Sequence, residues 1–254
     1  PNRQQAHTTF DDTATYKPTC CLYMQRLFVE FWRITLPYIL FTTTMLFLIG
    51  NFQLIRHYFH NLYFFWCMWP LMYAGAGVIC CFIVLLLKWI LIGRYEASEH
   101  PLWSNWVWRS ELVTGVQETL CNPFFINALR GTPFIAMWFR LNGSDIGARV
   151  WMDSTQITEH DLVHIGDDAC LSTDCTLQTH LFEDRIMKMS HLYIGDGCSI
   201  GHHAVTLYDS EMLEGSTLTA GSLLMKGETL PAYTTWEGIP AQRIKNISHW
   251  KTAE

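Results

Sequence analysis

Positive charge is scarce in this sequence. Only 17 Lys and Arg stand against 23 Asp and Glu in 254 residues, a formal net charge of −6. The deficit is local: residues 1–100 carry 7 basic against 5 acidic side chains, whereas residues 101–254 carry 10 against 18, a net of −8. So acidic a second half repels phosphates and excludes nucleic acid as a partner. The same field suits an amine-bearing substrate. A zinc-type C-x2-C pairing is also missing among the nine cysteines, Cys20, Cys21, Cys67, Cys80, Cys81, Cys121, Cys170, Cys175 and Cys198. Their odd number, with three inside long apolar runs, argues against a disulfide framework and for a reduced compartment. Pro1 begins the sequence without a methionine or a signal-peptide pattern, which predicts a section of a longer chain.

Charge is absent altogether from two stretches. Ile34–Ile55 and Asn61–Leu87 hold no Asp, Glu, Lys or Arg, and each is long enough to cross about 30 Å of hydrocarbon. A buried core helix is the competing reading, and two such runs within 55 residues weigh against it. The short link Arg56–His60 predicts an antiparallel hairpin over residues 34–93, with Gly75 and Gly77 permitting close helix contact. Arg26 and Arg33 flank its entrance, Lys88 and Arg94 its exit, and Arg56 alone marks the turn. The positive-inside rule then predicts an integral membrane protein with both termini in the cytoplasm, together with everything after the hairpin. Within residues 1–33, the stretch 21–33 reads as an interfacial helix through Leu27, Phe28, Phe31 and Trp32. Trp103, Trp106 and Trp108 read equally as an aromatic belt or as core.

From residue 141 the sequence repeats with period six. Ile165, Leu171 and Leu177 stand six apart; Ile194, Ile200, Thr206, Met212, Leu218, Leu224 and Leu230 resume the interval; Ile146, Met152 and Thr158 form a weaker run upstream. Neither a helix nor a simple strand gives this spacing. A triangular coil does, each face supplying a short strand, a turn and one inward side chain. Gly147, Gly166, Gly195 and Gly201 follow inward isoleucines, and the expectation is that they take the positive φ of tight corners. A parallel β-helix is therefore expected over 141–235, entered through 94–140 and closed by a cap and tail over 236–254, where Trp236 packs at the end.

The register breaks once within the strong run. Leu177 to Ile194 is 17 residues, and the interval contains QTHLFEDRIMKMSHLY (178–193). Function commonly sits where a regular scaffold breaks. His180 has the side chain for a general base, with Glu183 or Asp184 to hold its ring and Arg185 to orient a carboxylate or phosphate, or to pair with those acids. A polar surface loop is the plain alternative.

Several ordered blocks over residues 85–240 carry a resemblance: GRYEASEHPLWS, LRGTP, TEHDLVHIGDD, LQTHLFEDR and SLLMKGETLP ending in WEGIPA. Together they resemble the C-terminal membrane region of ε-poly-lysine-synthetase-like nonribosomal peptide synthetases. That resemblance implies a left-handed parallel β-helix of the hexapeptide acyltransferase kind. It implies three such units in tandem, each preceded by membrane helices and packed as a pseudo-trimer, with this sequence most like the last. It further implies adenylation and carrier domains upstream, an aminoacyl thioester on a phosphopantetheine arm as donor, an acceptor amine, and amide-bond formation. His180 would be the base, supported by Glu183, Asp184 and Arg185; no cofactor would bind to the unit directly.

Other readings stay open. The unit is catalytically silent, structural or an export path; or it is a coenzyme-A-dependent acetyltransferase on the same scaffold. A zinc lyase would need His160, His164, His191, His202 or His203 as ligands, although histidines at a solenoid corner usually face water, and no metal is expected. Cys170, Cys175 and Cys198 read as small buried thiols, and Asp167, Asp168, Asp174 and Asp196 as turn residues. Lys226 and Glu228 match a family block but suggest no chemistry of their own.

Overall fold

A computed structural model describes residues 13–58 and 62–246. The tip of the expected hairpin, 59–61, and the outermost parts of the 1–33 and 236–254 segments lie outside them. A short helix α1 (Thr13–Tyr16) precedes two long ones, α2 (Cys20–Tyr58) and α3 (Leu62–Leu91). Both are long and apolar enough to cross a membrane. They run antiparallel, since Phe52 meets Trp69 with ring centroids 5.6 Å apart while Thr44 Oγ1 lies 3.6 Å from Cys80 Sγ. The expected boundary between an interfacial stretch and a spanning one, at residues 33 and 34, falls inside α2. The N-terminal half of α2 is tied to the protein along one side, while its Leu27, Phe28 and Phe31 stay exposed. Arg26 and Arg33 both donate to Glu111 Oε2, at 3.0 and 2.9 Å, from α4 (Asn105–Val116). Gly77 does permit a close approach, but its neighbour is the Phe125 side chain, and Gly75 faces open space.

Between hairpin and coil, a π-turn (Gln117–Cys121), α5 (Asn122–Phe124) and α6 (Pro133–Leu141) follow α4. Trp108 is buried in this layer, and its neighbours Trp103 and Trp106 pack edge-on against Tyr23 and Tyr95, so these tryptophans are core. A buried ion pair ties α3 to the coil, with Lys88 Nζ 2.7 Å from Asp161 Oδ2.

The second half is a parallel β-helix. Three parallel sheets form its walls, and each inward position stacks on its counterpart one coil away. Ile146, Ile165, Ile194, Met212 and Leu230 make one column. Met152, Leu171, Ile200, Leu218 and Trp236 make the second, and Ile157, Leu177, Thr206 and Leu224 the third. All but Trp236 are buried, and Trp236 packs on the last coil as expected of a cap. Removing such side chains from water, at about 1.5–3 kcal/mol each, is the main force holding the coils together.

Two details of the expected register are corrected. The inward residue of the first coil's third face is Ile157, which pairs with Leu177, and not Thr158. The glycines after the isoleucines do not carry positive φ. That conformation falls two residues later, on Arg149, Asp168, Gly197 and His203. Glycine is needed at the earlier position because the next coil's backbone presses on it. A Cβ on Gly201 would lie 2.4 Å from the Ala220 amide nitrogen, and one on Gly166 2.7 Å from that of Asp196.

The register break is an inserted hairpin of strands His180–Glu183 and Ile186–Met189. It leaves the coil after Leu177 and adds to the edge strand Ser98–Pro101, so the insert is seated between coil and helical layer.

Candidate active site

The coil breaks at the same corner in two successive turns. In the first, the chain leaves Ile157 and passes through a 3₁₀ turn, His160–Leu162. In the next, it leaves Leu177 and enters the hairpin. Because Ile157 and Leu177 are cross-coil partners, Glu159 and Thr179, each two residues on, come to lie side by side. The Glu159 side chain is 1% exposed, and one of its oxygens gathers the corner. Oε2 accepts from Thr158 Oγ1 and Thr179 Oγ1 at 2.5 Å each and lies 2.8 Å from His180 Nδ1.

This contact sets the chemistry of His180. A carboxylate on Nδ1 fixes that nitrogen as the donor and leaves Nε2 to meet a substrate. Burial lowers the His180 pKa, but the hydrogen bond and charge of Glu159 outweigh it, and the net effect is above the ordinary histidine value. For Glu159, burial opposes ionisation, and the His180 contact with the two threonine hydroxyls overcomes it, holding the carboxyl below its usual range. Both directions describe one buried acid stabilising an imidazolium above it.

His180 lines an open cleft of about 430 Å³ between the coil and the helices. Phe182 and Met187 of the hairpin, Arg33, Pro37 and Tyr38 of α2, and Glu111, Thr114 and Glu118 of the helical layer are among the other residues of its wall. Phe182 stands edge-on to the imidazole, with ring centroids 5.4 Å apart.

The other expected site residues do not gather around His180. The acid holding the ring is Glu159, rather than Glu183 or Asp184. Side chains alternate along a strand, so Glu183 lies on the opposite face of its strand from His180 and Phe182. There it pairs with Lys226 of the last coils and, at 3.4 Å, with Lys188. The Lys226 contact, then that of Lys188, outweighs partial burial and lowers the Glu183 pKa. Asp184 and Arg185 form the hairpin turn, with φ of 52° and 62°. Arg185 reaches away, donating to the Thr15 carbonyl at 3.4 Å and covering the Tyr16 ring.

Among the described residues no group of three or more His, Cys, Asp or Glu is placed to hold a metal ion. His160 is buried against Phe139 and Gln117, and burial pushes its pKa down to about 4. His164 and His191 meet on the outer wall at 3.2 Å, where His164 stacks on Tyr193. Burial raises the thiols of Cys170, Cys198 and Cys175, the last to about 12. Such thiols are poor nucleophiles.

Sequence reasoning missed Glu159, Glu118 and the α2 wall. The signal for Glu159 was present: Met152 to Ile165 is 13 residues where two repeats take twelve, so the coil already breaks beside TEHD.

No family model matches the chain. A delta-poly-L-ornithine synthetase from Acinetobacter baumannii (strain AB307-0294) is 38% identical over 241 residues, 94% of this chain and 18% of that protein. The chain thus spans less than a fifth of the relative's length. The resemblance read from the sequence blocks is to a poly-amino-acid synthetase, and this comparison shows it. Among solved structures, a galactoside acetyltransferase in complex with coenzyme A is 16% identical, with a TM-score of 0.41 over 50% of this chain and 80% of that one. A hexapeptide-repeat acetyltransferase from Vibrio cholerae is 15% identical, with a TM-score of 0.40 over 49% and 85%. The parallel coil described above rests on its own strand pairing.

Proposed function

From the premise that this chain resembles one stretch of a poly-amino-acid synthetase, we propose that it is a membrane-anchored acyltransferase-like unit. It joins an aminoacyl group, delivered as a thioester on a carrier protein's phosphopantetheine arm, to an acceptor amine. The observation that carries this reading is the Glu159–His180 pair at the wall of an open cleft.

In the proposed step the acceptor nitrogen attacks the thioester carbonyl. A C–N bond forms, the C–S bond breaks, and the carrier leaves as its thiolate. The nitrogen's proton passes to His180 Nε2, and Glu159 stabilises the imidazolium so formed. The thiolate is a good enough leaving group that no protein nucleophile is needed, in keeping with the raised cysteine thiols. Holding donor and acceptor in one cleft supplies the remaining advantage by proximity.

Membrane anchoring draws support from exposure. Only 6% of the most apolar window of α2 is buried, and 33% of that of α3, whereas a soluble core helix would be mostly covered. Leu46, Phe47, Trp66, Leu71, Phe82 and Ile90 are all exposed. The charges at the helix ends favour a topology with the termini and the coil in the cytoplasm. Upstream carrier and adenylation domains and sister coil units in a pseudo-trimer complete the proposal. The aromatic patch of His164, His191 and Tyr193 on the outer wall offers a contact for such a neighbour.

The test is His180→Ala in the intact protein, assayed for amide formation. A fall of at least about 10²-fold, the usual worth of a general base, is expected. Unchanged turnover would assign the unit a structural or export role instead.

A further inference from the structure

Helix α6 is apolar on both sides. Ile135, Ala136, Trp138 and Phe139 are buried in the core shared with the coil, yet Phe134, Met137 and Leu141 on the opposite side are all exposed. A helix apolar all round is at home only where apolar matter surrounds it. Its one charge, Arg140, is turned to the coil, where it donates to the Ile146 carbonyl at 3.0 Å. The outer face of α6 borders a groove of about 440 Å³ whose other wall is α3, through Val78, Phe82 and Leu85. No charged or amide side chain lines it.

The place of this groove along the hairpin selects what covers it. Arg56 and His57, in the last turn of α2, favour a hairpin turn that reaches water. Measured from Leu62, the first residue of α3, at about 1.5 Å per residue, Val78 lies about 24 Å and Leu85 about 35 Å along the axis. A hydrocarbon layer about 30 Å thick therefore ends within the length of the groove. Trp89, one turn beyond, is exposed and donates its indole N–H to the Leu141 carbonyl at 3.3 Å. A tryptophan at headgroup level thus pins the end of α6. Toward the hairpin turn the groove runs on into open apolar surface. Leu71, Val78 and Phe82, seven and four residues apart, fall on one side of α3 and are all exposed.

We infer that α6 is an interfacial helix of the membrane anchor and that the groove between α6 and α3 seats an acyl chain of a bilayer phospholipid. The inference rests on the proposed membrane anchoring and extends it from the hairpin to the helical layer. An acyl chain removes Phe134, Met137 and Leu141 from water and needs no polar partner, which suits a lining that offers no charge. Since α6 also packs against the first coil, beside Ile146 and Met152, the coil is docked on the bilayer surface as well as tethered to it.

The test uses the intact protein in vesicles of phosphatidylcholine and phosphatidylglycerol, with a diazirine amino acid replacing Leu71, Met137 or Tyr193 singly. All three side chains are exposed, so the probes leave the core intact. After illumination, mass spectrometry should find phospholipid adducts from the probes at Leu71 and Met137, the latter on an acyl chain. The probe at Tyr193, on the outer wall of the coil, should give no lipid adduct. Loss of the lipid adduct at Met137 while Leu71 keeps its own would overturn the inference and leave the anchoring standing. Adducts at Met137 to peptide of another copy, or to headgroup atoms alone, would overturn it equally. Lipid adducts at neither position would remove the anchoring, and the inference with it.

Discussion

Replacing Glu159 by glutamine probes the site at its foundation. The new side chain is nearly the same size, and its amide oxygen can still accept from Thr158 and Thr179, so the corner keeps its shape. What disappears is the negative charge at 2.8 Å from His180 Nδ1. A hydrogen bond to a charged group is worth about 1.5–3 kcal/mol. If that bond stabilises the imidazolium formed during proton transfer, turnover falls about 10- to 100-fold. The pH dependence moves as well. In the unaltered protein Glu159 holds the His180 pKa above its ordinary value against burial; with the charge gone, burial acts alone and the pKa falls below it. The acid limb of the rate profile therefore shifts to lower pH while the plateau drops. Stability follows the same linkage. The raised His180 contributes fully below its ordinary 6.5 and loses its contribution as pH rises through the folded value. The lowered Glu159 contributes above its ordinary 4.5 and loses it as pH falls through the folded value. The advantage of the unaltered protein over the variant should peak between those two values. Titrating the His180 ring by NMR reads the pKa without any activity. A ring that titrates at the same pH in both proteins, or higher in the variant, would refute the pairing as the source of its basicity.

Other perturbations test the scaffold. Gly201→Ala places a Cβ 2.4 Å from the Ala220 backbone nitrogen, and overpacking of about 1–3 kcal/mol should appear as a lowered thermal midpoint. Leu171→Ala opens a cavity in a fully buried column and should cost about 2–5 kcal/mol by denaturant titration. Lys88→Met leaves Asp161 buried without its cation, a loss of about 3–5 kcal/mol, and the double variant with Asp161→Asn should recover most of it. Lys226→Met frees Glu183 from a half-exposed pair worth about 1 kcal/mol at most; hydrogen exchange should quicken over the 180–189 hairpin while the His180 pKa stays put.

The coil was legible because a period of six has few other causes. Its columns from Ile165 to Leu230 could be read residue by residue, including the position of the break. The site was legible only in part, since His180 is announced by sequence and its partner by topology. Glu159 is 21 residues away and becomes a neighbour only when Ile157, rather than Thr158, is seen to face inward. Choosing Thr158 preserved the interval of six and placed Glu159 at a corner like any other. FEDR looked like a catalytic cluster because its charges are dense. Alternation along one strand divides it, sending Glu183 to Lys226 and Lys188 while the turn directs Arg185 toward Thr15. Periodicity reports which side chains are interior. It is silent on which exteriors meet.

That division explains why the Glu159–His180 pair spans two coils. Within one coil, a residue two places from His180 on an extended strand shares its face but points to the same solvent. A residue on the adjacent coil lies one strand spacing away, about 4.8 Å, and can sit beneath it. Both turns must leave the regular path at the same corner, the first to tuck Glu159 inward and the second to bring His180 over it. Neither break alone makes a site. The position of the imidazole is thereby tied to coil stacking, through Ile157 on Leu177 and the threonine hydroxyls at 3.5 Å from one another. Substituting Ile157, an inward residue of the column, by alanine should therefore disturb the His180 titration as well as the melting midpoint. A variant that lost stability and kept an unchanged imidazole titration would show the pair to be held by the hairpin instead of the column.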